Sequence, residues 1–169
     1  MNTLKFNLAE LLHAKEGESK QFYFDEKIPD FEPNVEIKSN LVGSVNFIRI
    51  KSGILAKIKA KVSANIICAR CEEKFRVDFP LDFMEEYEER DKISKDPEFA
   101  RIGENGEVHI LPKIQQEIQV LIPIKPLCKT SCKGICPNCG KDLNQKPCFC
   151  KPVDKKSLSP FAALKKLKK

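Results

Sequence analysis

The feature that most constrains this chain is a stretch in which every second residue is apolar. Ile54, Ala56, Ile58, Ala60, Val62, Ala64, Ile66 and Cys68 alternate with positions that include Lys57, Lys59, Lys61, Ser63 and Asn65. Successive side chains of a strand point to opposite faces, so this pattern predicts one long half-buried strand with a polar outer face. Phe75, Val77, Phe79, Leu81 and Phe83 repeat it against Lys74, Arg76, Asp78 and Asp82. Upstream, Val45, Phe47 and Arg49 alternate likewise, with Lys51–Ser52–Gly53 as the turn into the long strand. The segment from Cys68 to Glu73 is short enough to be a hairpin connection.

These three strands predict an antiparallel β-meander. Residues 86–108 are polar and broken by Pro97, Gly103 and Gly106, and read as a long loop. Ile110, Ile114, Ile118 and Leu121 then recur at helical spacing, predicting a short amphipathic helix that lies on the sheet. The first 35 residues give little. The expected class is α+β: an antiparallel sheet body with a packed helix over residues 1–124, and a small Cys-rich zinc-binding module with a terminal helix over 125–169.

That second part is where the chemistry concentrates. Between residues 128 and 150 glycine, proline and cysteine dominate and neither period is visible, so the segment cannot bury a core of its own and needs a staple. Cys136–Pro137–Asn138–Cys139–Gly140 has the form of a metal knuckle: two thiolates converge on one side of a turn, and the glycine permits positive φ. The redox reading of a C-x-x-C pair expects a thioredoxin-like βαβ context, which this sequence lacks. Cys128, Cys132, Cys148 and Cys150 surround the knuckle, and Cys68 and Cys71 form a second C-x-x-C at the hairpin.

Eight thiolates make two closed four-sulfur sites, so two structural zinc ions are expected. The preferred division is Cys136, Cys139, Cys148 and Cys150 on one ion, and Cys68, Cys71, Cys128 and Cys132 on the other. Cys148–Phe149–Cys150 leaves that division open, because sulfurs two residues apart in extended chain rarely converge without a turn. The bland alternative for Cys68 and Cys71 is a pair of buried cysteines capping a strand.

Charge is uneven. Residues 125–169 hold twelve lysines against Asp142 and Asp154, a net of +10, while the whole chain carries +6, so residues 1–124 sum to −4. An acidic body with a basic tail suits a polyanion partner. Lys129, Lys133, Lys141, Lys146, Lys151, Lys155, Lys156, Lys165, Lys166, Lys168 and Lys169 are the candidate phosphate contacts. With no arginine among them, binding would be electrostatic and weakly sequence-selective. Some of these lysines would also offset the charge of about −2 that a four-thiolate zinc site carries. Ser159–Pro160 is a helix start, and Phe161, Leu164 and Leu167 follow on one face of a helix too short to stand alone.

Enzymatic readings find little support. The spacing Cys132-x3-Cys136-x2-Cys139 formally fits radical enzymes that carry a [4Fe–4S] cluster, but the chain lacks the βα units of their barrel. A simple iron–sulfur or redox protein stays as an alternative. The two histidines, His13 and His109, lie outside the cysteine cluster, and His109 reads as a surface residue at a loop–helix junction. The Glu85–Glu86 and Glu88–Glu89 pairs read as a solvated acidic face. No phosphate-binding loop, nucleophile elbow or dinucleotide fingerprint occurs. No apolar run approaches the roughly 18 residues that cross a bilayer, and the first residues lack a signal-peptide pattern, so a reducing cytoplasm is expected.

Several of these pieces together resemble a known family. Cys68–Ala69–Arg70–Cys71 follows a long strand and precedes a phenylalanine-alternating one, and Leu121–Ile122–Pro123–Ile124–Lys125–Pro126–Leu127–Cys128 follows the helix. Then come Cys132–Lys133–Gly134–Ile135–Cys136–Pro137–Asn138–Cys139–Gly140–Lys141–Asp142–Leu143–Asn144 and the ending Pro160–Phe161–Ala162–Ala163–Leu164. The chain thereby resembles the YceD-like family, the large ribosomal RNA subunit accumulation proteins, over roughly residues 35–168. The resemblance implies a non-enzymatic ribosome assembly role supporting accumulation of large-subunit (23S) ribosomal RNA. The partner is then that RNA or a ribosomal protein. The rival from another class is a protein–protein adaptor that docks through the Phe161/Leu164/Leu167 helix or the acidic stretch.

Overall fold

A computed structural model describes residues 4–89, 100–103 and 105–150. The fold is mixed α+β and dominated by strands. Its spine is three successive strands, β4 (Leu41–Ile50), β5 (Gly53–Ile67) and β6 (Lys74–Glu88). Each pairs antiparallel with the next, in registers that include Val45↔Ile58 and Ile58↔Phe83. The alternation works as the pleat requires: Ile54, Ala56, Ile58, Val62, Ala64 and Ile66 are buried, while Lys57, Lys59 and Lys61 stand in solvent.

Three further strands complete this sheet. Strand β2 (Ser19–Glu26) pairs antiparallel with the outer edge of β4, and β3 (Val35–Ile37) pairs with the far part of β5, at Val35↔Ile66. The same edge of β5 is therefore served first by β4 and then by β3. Between them the ladder is bridged by the Ser39 hydroxyl, which accepts the Ser63 N–H at 2.8 Å. Strand β7 (Ala100–Arg101) adds a short parallel pairing to the end of β6.

One face of the sheet is covered. A two-stranded sheet of β1 (Lys5–Asn7) and β8 (Glu107–His109), the short helix α1 (Ala9–Leu12) and the helix α2 (Leu111–Leu121) supply the covering layer. Leu4, Leu8, Leu11, Val108, Ile110, Ile114 and Ile118 join the sheet residues in one apolar core. The α2 periodicity buries Ile114 and Ile118 and leaves Val120 and Leu121 exposed. The rings of Phe6, Phe22 and Phe47 meet at 5.0 to 5.9 Å and tie β1 to β2 and β4. No helix among the described residues is long and apolar enough to cross a membrane.

Two expectations need correction. The polar stretch from residue 86 is not loop throughout: β6 runs on to Glu88, and Ala100–Arg101 and Glu107–His109 are strands. Cross-strand pairing with β5 holds this charged segment extended, at Leu55↔Glu86 and Gly53↔Glu88. Nor is the acidic stretch a freely solvated face. Glu85 pairs with Lys113 on α2 at 2.7 Å, Glu89 with Arg49 at 2.5 Å, and the Ser52 hydroxyl donates to Glu86. His109 is half-exposed as expected, but it closes a strand, and its carbonyl accepts the hydroxyl of buried Tyr87 at 3.3 Å.

Candidate metal centres

Strand β5 delivers the first cysteine. Its buried parity continues from Ile66 to Cys68, which is fully buried. The chain then turns tightly: the Cys68 N–H donates to the Glu73 carbonyl at 3.0 Å, the Glu72 N–H donates to the Cys68 carbonyl at 3.0 Å, and Glu72 takes a φ of +60°. That turn presents Cys71 beside Cys68. From the other side, the segment after α2 is pinned to the hairpin where Ala69 N–H donates to the Pro126 carbonyl at 2.8 Å. This contact brings Cys128 and Cys132 up against the end of the sheet. The sulfurs of Cys68, Cys71, Cys128 and Cys132 all lie within 4.8 Å of one another.

The second group is local. A short bridge between Ile135 and Asp142, and a bond from Cys136 N–H to the Lys141 carbonyl at 2.8 Å, close the knuckle. Gly140 follows at a φ of +68°, where an L side chain is strained. The sulfurs of Cys136, Cys139, Cys148 and Cys150 also lie within 4.8 Å of one another, so the two cysteines flanking Phe149 converge after all. The groups differ in cover. In the first, Cys68, Cys71 and Cys132 are buried; in the second, Cys139 and Cys150 are exposed.

The donor sets fit a tetrahedral ion. Four sulfurs at about 2.3 Å from zinc are separated by about 3.8 Å. Cys68 and Cys132 stand 3.9 Å apart and Cys71 and Cys128 3.6 Å, far beyond the length of a disulfide. All eight cysteines are free thiols. Such sets suit a thiophilic ion, and an iron–sulfur cluster uses the same four ligands.

Local fields already favour ionisation at Cys68 and Cys132 in the first group and at Cys136 in the second. Burial pushes Cys68 up, but the amides of Cys128, Cys71 and Arg70 outweigh it and hold the thiol at about 6. The amides of Asn138 and Cys139 hold Cys136 at about 6. Their neighbours respond in the opposite direction. Cys71 receives help from the Glu73 amide, yet burial and the adjacent sulfurs drive it up to about 12. Cys139, lying beside Cys150, drives that thiol up to about 12, and burial adds to the shift. Burial also raises Cys128, whereas at Cys132 it is outweighed by the Asn144 side chain and the Gly134 amide. Crowded thiols cannot all ionise together without a cation, and a divalent ion removes that conflict.

Two supporting residues were not singled out from the sequence. Asn144 accepts the Lys133 N–H through Oδ1 at 2.9 Å and directs Nδ2 at the Cys132 sulfur at 3.4 Å, with a further bond to Asp142 at 2.7 Å. Arg70 donates from Nη1 to the Cys132 carbonyl at 2.8 Å, and its own carbonyl accepts the Ile135 N–H at 3.1 Å. Their positions inside C-A-R-C and G-x-x-L-N were the available signal. Among the candidate phosphate contacts, Lys129, Lys133, Lys141 and Lys146 are exposed around the two sulfur groups. Lys151, Lys155, Lys156, Lys165, Lys166, Lys168 and Lys169, and the Phe161/Leu164/Leu167 helix, lie outside the described residues.

Comparison with known proteins decides the family. The model of the family described as "Large ribosomal RNA subunit accumulation protein YceD" matches residues 56–168. The chain belongs to the YceD family. The matched span runs from β5 through both sulfur groups. A curated relative from Zea mays, "Large ribosomal RNA subunit accumulation protein YCED homolog 1, chloroplastic", is 38% identical over 56 residues. That alignment covers 32% of this YceD chain and 19% of the maize protein. No solved structure matches the chain.

Proposed function

We propose that this protein is a non-enzymatic assembly factor that supports accumulation of large-subunit ribosomal RNA in the cytoplasm. The observation that carries the proposal is membership of the YceD family across residues 56–168, a span that includes both four-cysteine groups and most of the basic C-terminal region. In this reading residues 1–124 form the body and residues 125–169 a module stapled by two structural zinc ions. Cys68 and Cys71 supply half of one site from the body, so the first ion clamps module to sheet. Bound metal would free the cysteine-rich segment from needing a core, at a binding energy on the order of 10–16 kcal/mol per structural site.

In this reading the phosphate contacts are Lys129, Lys133, Lys141 and Lys146 around the two sulfur groups, together with Lys151, Lys155, Lys156, Lys165, Lys166, Lys168 and Lys169 from the sequence beyond the described residues. Neutralising about six phosphates gives a slope of log affinity against log salt of roughly −4 to −5. Crosslinking in cells followed by mapping of the crosslinked RNA tests the proposal. Crosslinks concentrated in large-subunit RNA support it, and a salt-independent affinity refutes it.

A second reading has its own observation. A groove of about 400 Å³ beside Cys68 is lined by Val35, Ile66, Ile122, Pro123 and Ile124, and Ile124 is 98% exposed. An apolar groove of this kind suits a protein partner. A pulldown with and without nuclease separates the readings, because a directly docked ribosomal protein survives nuclease and an RNA-tethered one does not.

A further inference from the structure

The two sulfur groups share a donor set but not an environment. Three of the four thiols in the first group are shielded, with Cys68 at 0%, Cys132 at 3% and Cys71 at 6% exposure. Its ligands come from two distant parts of the chain, bound together through Ala69, Arg70, Pro126, Cys132 and Ile135. The second group lies within fifteen residues of chain and is held by the bonds of its own turn. Cys139 and Cys150 are exposed, and Phe149 between the last two ligands stands fully in solvent. Thiol oxidation requires access as well as thiolate character, and only the second group offers access at two adjacent sulfurs.

We infer that Cys139 and Cys150 form an oxidation site at which a peroxide converts the second centre to a disulfide and releases its ion, while the first centre persists. The inference rests on the two-ion reading above. One metal-held thiolate attacks the peroxide O–O bond, giving a sulfenic acid and hydroxide. The other thiolate attacks that sulfenic sulfur, forming the S–S bond and expelling a second hydroxide. Two protons from solvent convert both hydroxides to water. The two sulfurs are oxidised, the peroxide is reduced, and the ion departs, because Cys136 and Cys148 alone cannot close a four-sulfur site.

The consequence is confined to the exposed half of the module. Cys68, Cys71, Cys128 and Cys132 keep the chain fastened to the sheet while the knuckle from Cys136 to Cys150 loses its ion. Phosphate contacts that depend on the knuckle's shape, at Lys141 and Lys146, would be altered without unfolding the body.

The test uses the full chain loaded with zinc and treated with hydrogen peroxide. A chromophoric chelator follows ion release, and peptide mass mapping after alkylation locates the disulfide. The expected result is release of one ion per chain on the order of tenfold faster than the second, with a Cys139–Cys150 bond and four alkylatable thiols at the first centre. Release of both ions at one rate, or a first disulfide among Cys68, Cys71, Cys128 and Cys132, would overturn it. A Cys139→Ser variant should lose the fast phase and its disulfide while the slow phase is unchanged; a fast phase that survives counts against the assignment. Fewer than two ions per chain before peroxide is added would instead overturn the two-centre reading itself.

Discussion

Replacing Asn144 tests whether the first centre is tuned by its surroundings. Asn144→Ala removes the acceptor of the Lys133 N–H, the donor to the Cys132 sulfur and a bond to Asp142. A partly buried side-chain hydrogen bond contributes about 1 kcal/mol, and one to a charged partner about 1.5 kcal/mol or more. After relaxation, a net loss of about 2–3 kcal/mol corresponds to a roughly 30- to 150-fold weaker ion affinity. Asn144→Asp is the sharper probe. It keeps an oxygen for Lys133 but removes the N–H aimed at sulfur and sets a negative charge beside a thiolate and Asp142, so it should weaken binding at least as much as alanine. Competition with a chromophoric chelator measures both, and cadmium-113 resonances identify which ion is affected. An aspartate variant that binds as tightly as the natural chain would show that the Asn144–Cys132 contact does nothing for the metal.

Three further outcomes follow from particular residues. Gly134 and Gly140 both adopt positive φ, but a methyl group at Gly134 would meet the Arg70 carbonyl at 2.9 Å, whereas one at Gly140 meets nothing within 4 Å. Gly140→Ala should therefore cost about 1 kcal/mol and Gly134→Ala about 2 kcal/mol or more, read by denaturant unfolding of the metal-loaded chain; equal losses would contradict this. Lys38 and Lys74 hold the Glu36 carboxyl below its ordinary pKa, with the Lys38 contact the larger cause. That pairing stabilises the fold above the ordinary glutamate pKa and is lost as pH falls through the lowered one. A Lys38→Ala/Lys74→Ala variant should return the carboxyl to the ordinary glutamate range in an NMR titration. Chelation of both ions should abolish amide protection through residues 128–150 while strands β4–β6 keep theirs, because the sheet core contains no metal ligand beyond the hairpin; hydrogen exchange checks this.

The sequence made β4, β5 and β6 legible because each buries one face only, and a half-buried strand writes its geometry as strict alternation. Strand β2 escaped notice: in Phe22–Tyr23–Phe24 the outward residue is itself aromatic, so the period is masked although Tyr23 is 79% exposed. The end of β6 escaped for the opposite reason. Glutamates there look like loop, and it is pairing with β5, at Leu55↔Glu86 and Gly53↔Glu88, that holds them in a strand. Helix α2 was readable from Ile110, Ile114 and Ile118, whose spacing needs no knowledge of what they pack against.

The cysteines divide the same way. Their number and the C-x-x-C spacings determine that paired thiolates converge, because a short turn fixes two sulfurs whatever the rest of the chain does. Spacing cannot join Cys68 to Cys132 or decide whether Cys148 and Cys150 share a group. Those pairings depend on the β5–β6 turn meeting the segment after α2, through Ala69, Pro126 and Arg70, and that meeting exists only once the sheet has formed. Local chain geometry therefore determined the donor chemistry, while long-range packing decided which four sulfurs stand together and which of them water can reach.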